Sequence, residues 1–177
     1  MTPAAHVSAA IEILGALAER RRPAADALKD WGQRHRFAGS KDRAAIASLL
    51  FDALRKSASA AFVMGADAPR AIMLGALREA RGLDASAIAA LCSGEGHAPA
   101  PLSDEERARL ETATLDAAPD HVRGDYPEWL ADQFAQAFGA RAAEEGAALA
   151  TRAAHSPVWS SHRITASPAP IRITRER

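Results

Sequence analysis

The residues with the most chemical potential run together: Arg34-His35-Arg36-Phe37-Ala38-Gly39-Ser40-Lys41-Asp42-Arg43. Cations cluster there, in a loop that ends at the start of a helix. The chemistry this suits is phosphate binding. A helix N-terminus offers free N–H groups to an anion. Arginine grips a phosphate with two parallel donors, and lysine adds a point charge. RNA is commonly held through its shape and backbone in this way. Arg34, Arg36 and Lys41 are therefore read as RNA contacts. Arg43 fits two roles, a phosphate contact or, with Asp42, a salt-bridged turn that ties helices together. Arg55 and Lys56 close the same basic segment and complete the candidate RNA-binding set.

Charge counts agree with a basic segment on a neutral molecule. The chain has 22 Lys/Arg and 22 Asp/Glu. Residues 20–56 hold ten of those cations against four acids, whereas residues 84–128 hold three against ten. Such asymmetry can place a positive patch on a protein of zero net charge. A solvated mixed-charge surface is the plainer account of the same counts.

Other chemistries find no residues to carry them. Gly94-Glu95-Gly96 has neither the spacing nor the flanking strand of a phosphate loop. The six histidines (His6, His35, His97, His121, His155, His162) are scattered, without metal-ligand spacing. Cys92 is the one cysteine, so no disulfide or cysteine-based zinc site can form within the chain. It reads as a small buried hydrophobe in a reducing, cytoplasmic setting. Glu105, Glu106, Glu144 and Glu145 read as solvated helix faces. No nucleophile has an adjacent base, so no catalytic, metal-binding or cofactor-binding residue is expected. Glu12 and Glu19 interrupt any secretory h-region, and no apolar run approaches the roughly 18 residues of a membrane span. The expectation is a soluble, cytoplasmic protein.

The elements that must position the basic segment are helical. Aromatics make up 5% of the chain and alanine is abundant, which favours helix over sheet. Val7, Ala10, Ile11, Leu14, Leu17 and Ala18 share one face of a helix over residues 4–21. Arg20, Arg21 and Arg22 lie in or just past its last turn, where cations complement the helix dipole. A second helix runs from Pro23 or Ala24 to about Arg34, burying Ala24, Ala27, Leu28 and Trp31. Phe37-Ala38-Gly39 breaks the pattern. Ser40 can cap the third helix, whose apolar face is Ile46, Leu49, Leu50, Ala53 and Leu54, and which could reach Val63 or Met64 before Gly65. A fourth helix spans 69–81, with Ile72, Leu74 and Leu77 as anchors and Gly82 as the stop. Asp84 can cap a short fifth helix with Ile88 and Leu91. After the breakers of residues 94–101, Ser103 and Glu106 have capping-box spacing. Further helices start near Pro127, presenting Leu130, Phe134 and Ala137, and cover 142–152. Residues 154–177 show no helical period and at most a short strand at Ile171 and Ile173. They are expected to be disordered, having too little apolar surface to offset ordering entropy.

Several segments, in order, resemble a known family. The stretch from Phe37 to Ile46, followed by Phe51-Asp52-Ala53-Leu54-Arg55, resembles the signature of NusB-like domains, in which Lys/Arg-Asp-Arg opens a helix that closes with an arginine. Residues 70–77 look like the next helix of that domain. Gly96-His97-Ala98-Pro99-Ala100-Pro101-Leu102 and Tyr126-Pro127-Glu128-Trp129-Leu130 through Phe138-Gly139 look like the rRNA methyltransferase branch, the Sun/Fmu or RsmB family.

The resemblance implies an all-α fold: a compact NusB-like helical bundle over residues 1–153, with a poorly structured tail over 154–177. It implies an RNA-binding domain for 16S rRNA, belonging to an S-adenosylmethionine-dependent cytosine-C5 methyltransferase. In that family a Rossmann-like domain with two cysteines follows. This chain shows none of those motifs, and Cys92 cannot stand in for the pair. Residues from about 154 onward therefore read as a frameshift or truncation product, and the chain as catalytically incompetent, with no cofactor of its own. The first helix has no arginine before Arg20, so RNA contact by Met1–Glu19 is not expected. Two alternatives stay open: a protein-interaction module, whose acidic half could face a basic ribosomal protein, and a stand-alone transcription antitermination factor.

Overall fold

The computed structural model describes residues 1–151 except Arg21. The readings made for residues 154–177 and for Arg21 lie outside the described residues. The described chain is all α, with no strand. It comprises α1 (Pro3–Arg20), α2 (Ala24–Arg34), α3 (Ser40–Arg55), α4 (Ser57–Met64), α5 (Pro69–Glu79), α6 (Ala85–Leu91), α7 (Asp104–Thr112), α8 (Asp120–Arg123), α9 (Ala131–Phe138) and α10 (Ala142–Ala150). Single 3₁₀ turns, Glu128–Leu130 and Gly139–Arg141, precede α9 and α10.

One core joins α1 to α7. Val7 and Ile13 of α1, Ile46 and Leu50 of α3, Val63 of α4, Met73, Leu74 and Leu77 of α5, and Ile88 of α6 are almost fully buried. Each such side chain contributes about 1.5–3 kcal/mol by leaving water. The centre is α5, which packs on α1, α3 and α4. Ala71, Met73, Leu74, Gly75, Ala76 and Leu77 are all buried, so its apolar surface runs nearly all round rather than along one stripe. Ile72, taken from periodicity as an anchor, is only half-buried. Gly75 makes this centre possible. A Cβ there would lie 2.6 Å from the Ala60 carbonyl oxygen and 2.7 Å from the Ala60 Cα. The α4 and α5 backbones thus touch where they cross, and the chain turns through 105° between them. Among the described residues no single helix is long and apolar enough to cross a membrane; only this bent, buried pair reaches that length.

Caps follow the sequence closely at three helices. Asp84 accepts the Ala87 N–H at 2.7 Å. Ser103 Oγ accepts the Glu106 N–H at 3.1 Å, while Glu106 Oε2 accepts the Ser103 N–H at 3.0 Å, a complete capping box. Gly65, with φ of +66°, closes α4: its N–H donates to Phe62 and that of Ala66 to Ala61.

The third helix differs from expectation in three ways. Gly39, not Ser40, is its N-cap. Glycine has no side chain to offer, so the capping runs one way, from the Gly39 N–H to Asp42 Oδ2 at 3.0 Å. Leu54 faces outward, 39% exposed. The helix also does not continue to Met64, because it breaks at Lys56 (φ −108°, ψ 23°). The break has a distant cause. Asp125, 66 residues on, accepts the Ser59 N–H at 2.9 Å through Oδ1 and the Ser59 hydroxyl at 2.8 Å through Oδ2. Its carboxylate caps the first turn of α4 from outside.

A smaller cluster holds α8, α9 and α10. Tyr126 is buried, stacked on Phe134 at 4.0 Å between ring centres. Gly124 and Gly146 admit its ring, since a Cβ at either would approach within 2.6 Å of it. The α8 helix, absent from the sequence reading, packs on both α4 and α10. Two residues past its end, Asp125 adopts a left-handed φ of 52° and reaches α4.

Candidate nucleic-acid interface

The corner between α2 and α3 is shaped by buried Trp31 and by exposed Arg43. Trp31 is buried in α2 and donates its indole N–H to Glu12 Oε2 of α1 at 3.1 Å. The next turn stacks the His35 ring on it, 4.2 Å away and 17° from parallel. His35 Nδ1 lies 2.9 Å from the Trp31 carbonyl oxygen. Phe37 then sets its edge on His35 at 5.7 Å and leaves 73% of its own surface to solvent. Ala38 turns back into the core. Arg43 bridges the loop to α2, donating from Nε to the Ala38 carbonyl (2.9 Å) and from Nη2 to the Gly32 carbonyl (3.1 Å). Of its two sequence-stated roles, the geometry supplies the tie.

Asp42 is the second fastener. It accepts His6 Nε2 at 2.8 Å, the Met1 amine at 2.9 Å and the Gly39 N–H. The His6 hydrogen bond first, then the amine and Gly39, hold its carboxyl down to about 2. It joins the start of α3 to the start of α1.

The six candidate cations separate into two places. Arg34, Arg36 and Lys41 are exposed together at the corner. Arg34 Nε reaches only the Asp30 carbonyl, at 3.4 Å. Among the described residues, Arg36 and Lys41 form no ion pair. Arg55 and Lys56 lie at the other end of α3, about 20 Å away at 1.5 Å per residue. Arg55 pairs with Asp52, which Arg81 also grips. Lys56 Nζ sits 3.2 Å from Asp125, whose side chain is 1% exposed. Both are committed to internal carboxylates, and the fold does not bring them to the corner.

Beside the corner lies a groove of about 740 Å³. Met1 and, from α1, Ala5, Ala9 and Glu12 form its floor, Trp31, His35 and Phe37 one wall, and residues 95–98 the other. The second wall is held by Arg70. It binds Glu106 through both carboxylate oxygens (2.7 and 3.0 Å) and donates to the Ala100 and Pro101 carbonyls. This hydrogen bond keeps the Glu106 carboxyl below its usual range. Two stretches singled out in the sequence, 34–43 and 96–102, thus meet at one groove. The sequence reading gave Glu12, His35, Phe37 and His97 no binding role of their own. Rings interleaved with cations could have marked His35 and Phe37; no local signal marks Glu12 or His97.

The described residues contain no group of three or more His, Cys, Asp or Glu able to hold a metal ion. Cys92 is buried, and desolvation pushes its thiol pKa up, so it remains a protonated core residue. Compared with known protein families, with curated proteins and with solved structures, the chain matches none.

Proposed function

We propose that this helical domain binds RNA at the α2–α3 corner, with Arg34, Arg36 and Lys41 on the phosphates. The observation that carries the reading is alternation. Cations at 34 and 36 flank His35 and precede Phe37, so charges alternate with a half-buried and an exposed ring. Single-stranded nucleic acid is held by this combination of phosphate contact and ring stacking. Arg43, Arg55 and Lys56 support the corner and the fold rather than the ligand.

The RNA is proposed to be 16S rRNA, and the domain to be the recognition part of an S-adenosylmethionine-dependent cytosine-C5 methyltransferase. Support comes from the resemblance of residues 37–46 and 51–55 to NusB-like domains and of residues 96–102 and 126–139 to the methyltransferase branch. Chemistry would belong to another domain, so this chain is proposed to be inactive alone.

Titration with a single-stranded fragment at several salt concentrations tests the reading. Three phosphate contacts give a log–log salt slope of about −2. The triple change Arg34→Ala, Arg36→Ala, Lys41→Ala should flatten that slope and weaken binding. Unchanged affinity and slope would remove the corner from consideration. A second reading, a protein-interaction module, is favoured by exposed Trp129 and Leu149, 74% and 72% accessible, near α9 and α10. Partner capture that survives nuclease and is lost in Trp129→Ala would support it.

A further inference from the structure

The groove beside the corner has a charge pattern opposite to its rim. Exposed Arg34 and Arg36 neighbour the lining residues His35 and Phe37 in the chain, and exposed Lys41 precedes Asp42, which binds the amine of lining residue Met1; the lining itself includes the carboxylate residues Glu12 and Glu95. A phosphate is attracted to the rim and repelled from the groove. A basic peptide meets the reverse. The ligand that satisfies both is anionic along its backbone and carries a flat group with N–H donors. We infer that the groove receives one unstacked RNA base, a guanine, while its phosphates stay on the rim cations. This rests on the RNA-binding reading and adds the base to it.

The residues suit each part. His35 and Phe37 line the groove and alternate with Arg34 and Arg36, so a base entering here keeps its own phosphate beside the cations. Phe37 offers an open face, being 73% exposed, for stacking. The stack of His35 on Trp31 stiffens the wall behind it. Glu12 is fixed in direction, because its Oε2 accepts the Trp31 indole N–H. A carboxylate has about four lone-pair sites, so Glu12 keeps acceptor capacity toward the groove. Guanine presents two adjacent donors on its Watson–Crick edge, the ring N–H and the amino group, which a carboxylate can accept together. Adenine and cytosine offer only the amino group, and uracil only the ring N–H. The volume lies within the range of small-ligand sites.

The test uses the full 177-residue chain and three labelled eight-nucleotide RNAs: all uridine, uridine with one central guanosine, and the same with inosine, which lacks the amino group. Fluorescence anisotropy should show the guanosine strand binding roughly tenfold tighter than the all-uridine strand, with inosine between them. Glu12→Gln can still accept from Trp31, and it should abolish the guanosine preference, bringing the guanosine strand to the affinity of the all-uridine strand. Phe37→Ala should weaken all three strands, the guanosine one most. Equal affinity for all three strands would overturn the guanine site and leave the corner standing. No binding of any strand would overturn both readings. Retention of the preference in Glu12→Gln, or competition by an arginine-rich peptide for the groove, would overturn the assignment of Glu12 to a base.

Discussion

Asp125→Ala should be the most damaging single change outside the hydrophobic core. Asp125 makes four demands on one residue. It accepts two hydrogen bonds from Ser59, neutralises Lys56, and holds a left-handed backbone. Its side chain is 1% exposed and that of Lys56 17%. Removing the carboxylate strands an ammonium group in a mostly buried place, which costs about 3–5 kcal/mol. The orphaned Ser59 N–H falls within the same loss, since such effects overlap rather than add. For a domain of this size the melting temperature should drop by roughly 6–20 °C. The order of variants is diagnostic. Asn keeps one acceptor and tolerates the left-handed conformation, so Asp125→Asn should cost least. Gly relieves the backbone but loses the acceptor, so Asp125→Gly should fall between Asn and Ala. Urea unfolding followed by circular dichroism measures the series. Adding Lys56→Met to Asp125→Ala should recover part of the loss, because the stranded charge disappears. An Asp125→Ala protein within about 1 kcal/mol of the parent would refute the argument, as would no recovery in the double variant.

Gly75→Ala should destabilise by about 1–3 kcal/mol, despite the helix preference of alanine, because the new methyl meets the Ala60 backbone. A higher melting temperature would show that α4 and α5 can part at no cost. Asp42 has its carboxyl pKa depressed to about 2, so its contribution is complete above the ordinary carboxylate value and fades as pH falls from about 4 toward 2. Thermal melts across pH 2–6 should therefore be steeper for the parent than for Asp42→Asn; parallel curves would contradict the His6–Asp42 link. Glu106 is also held down, by Arg70, and its share likewise disappears on acidification. Arg70→Lys cannot keep both carboxylate oxygens and two carbonyls, so hydrogen exchange should quicken at the Gly94 and Ala98 amides of the adjoining loop. Unaltered protection would mean that the loop stands without it.

Local chemistry accounts for what could be read from the chain alone. Helix class and most boundaries follow from alanine-rich periodicity. The caps at Asp84, Ser103 and Gly65 need only their near neighbours, so residue type and spacing were enough to mark all three positions. The grouping of Arg34, Arg36 and Lys41 was legible because the three span only the last residue of α2, the loop and the first turn of α3. Their company was not. Glu12 and residues 95–98 come from 19 residues before and 64 after Trp31, and nothing in their own sequence points to the same groove.

Where burial runs nearly all round a helix, as in α5, no stripe remains to read, and Met73 and Gly75 carried no signal. The break at Lys56 was hidden for a related reason. Residues 40–64 form one plausible helix by propensity, and only a carboxylate brought from position 125 caps a new start within it. The same event reassigns Lys56 from a free cation to the partner of a buried acid. The sequence by itself determined the helices, their near-neighbour caps and the basic loop, because those depend on residues within a turn or two. Tertiary structure alone decided which cations stay free, where α3 ends and what faces the loop, because each of these depends on contacts between residues far apart in the chain.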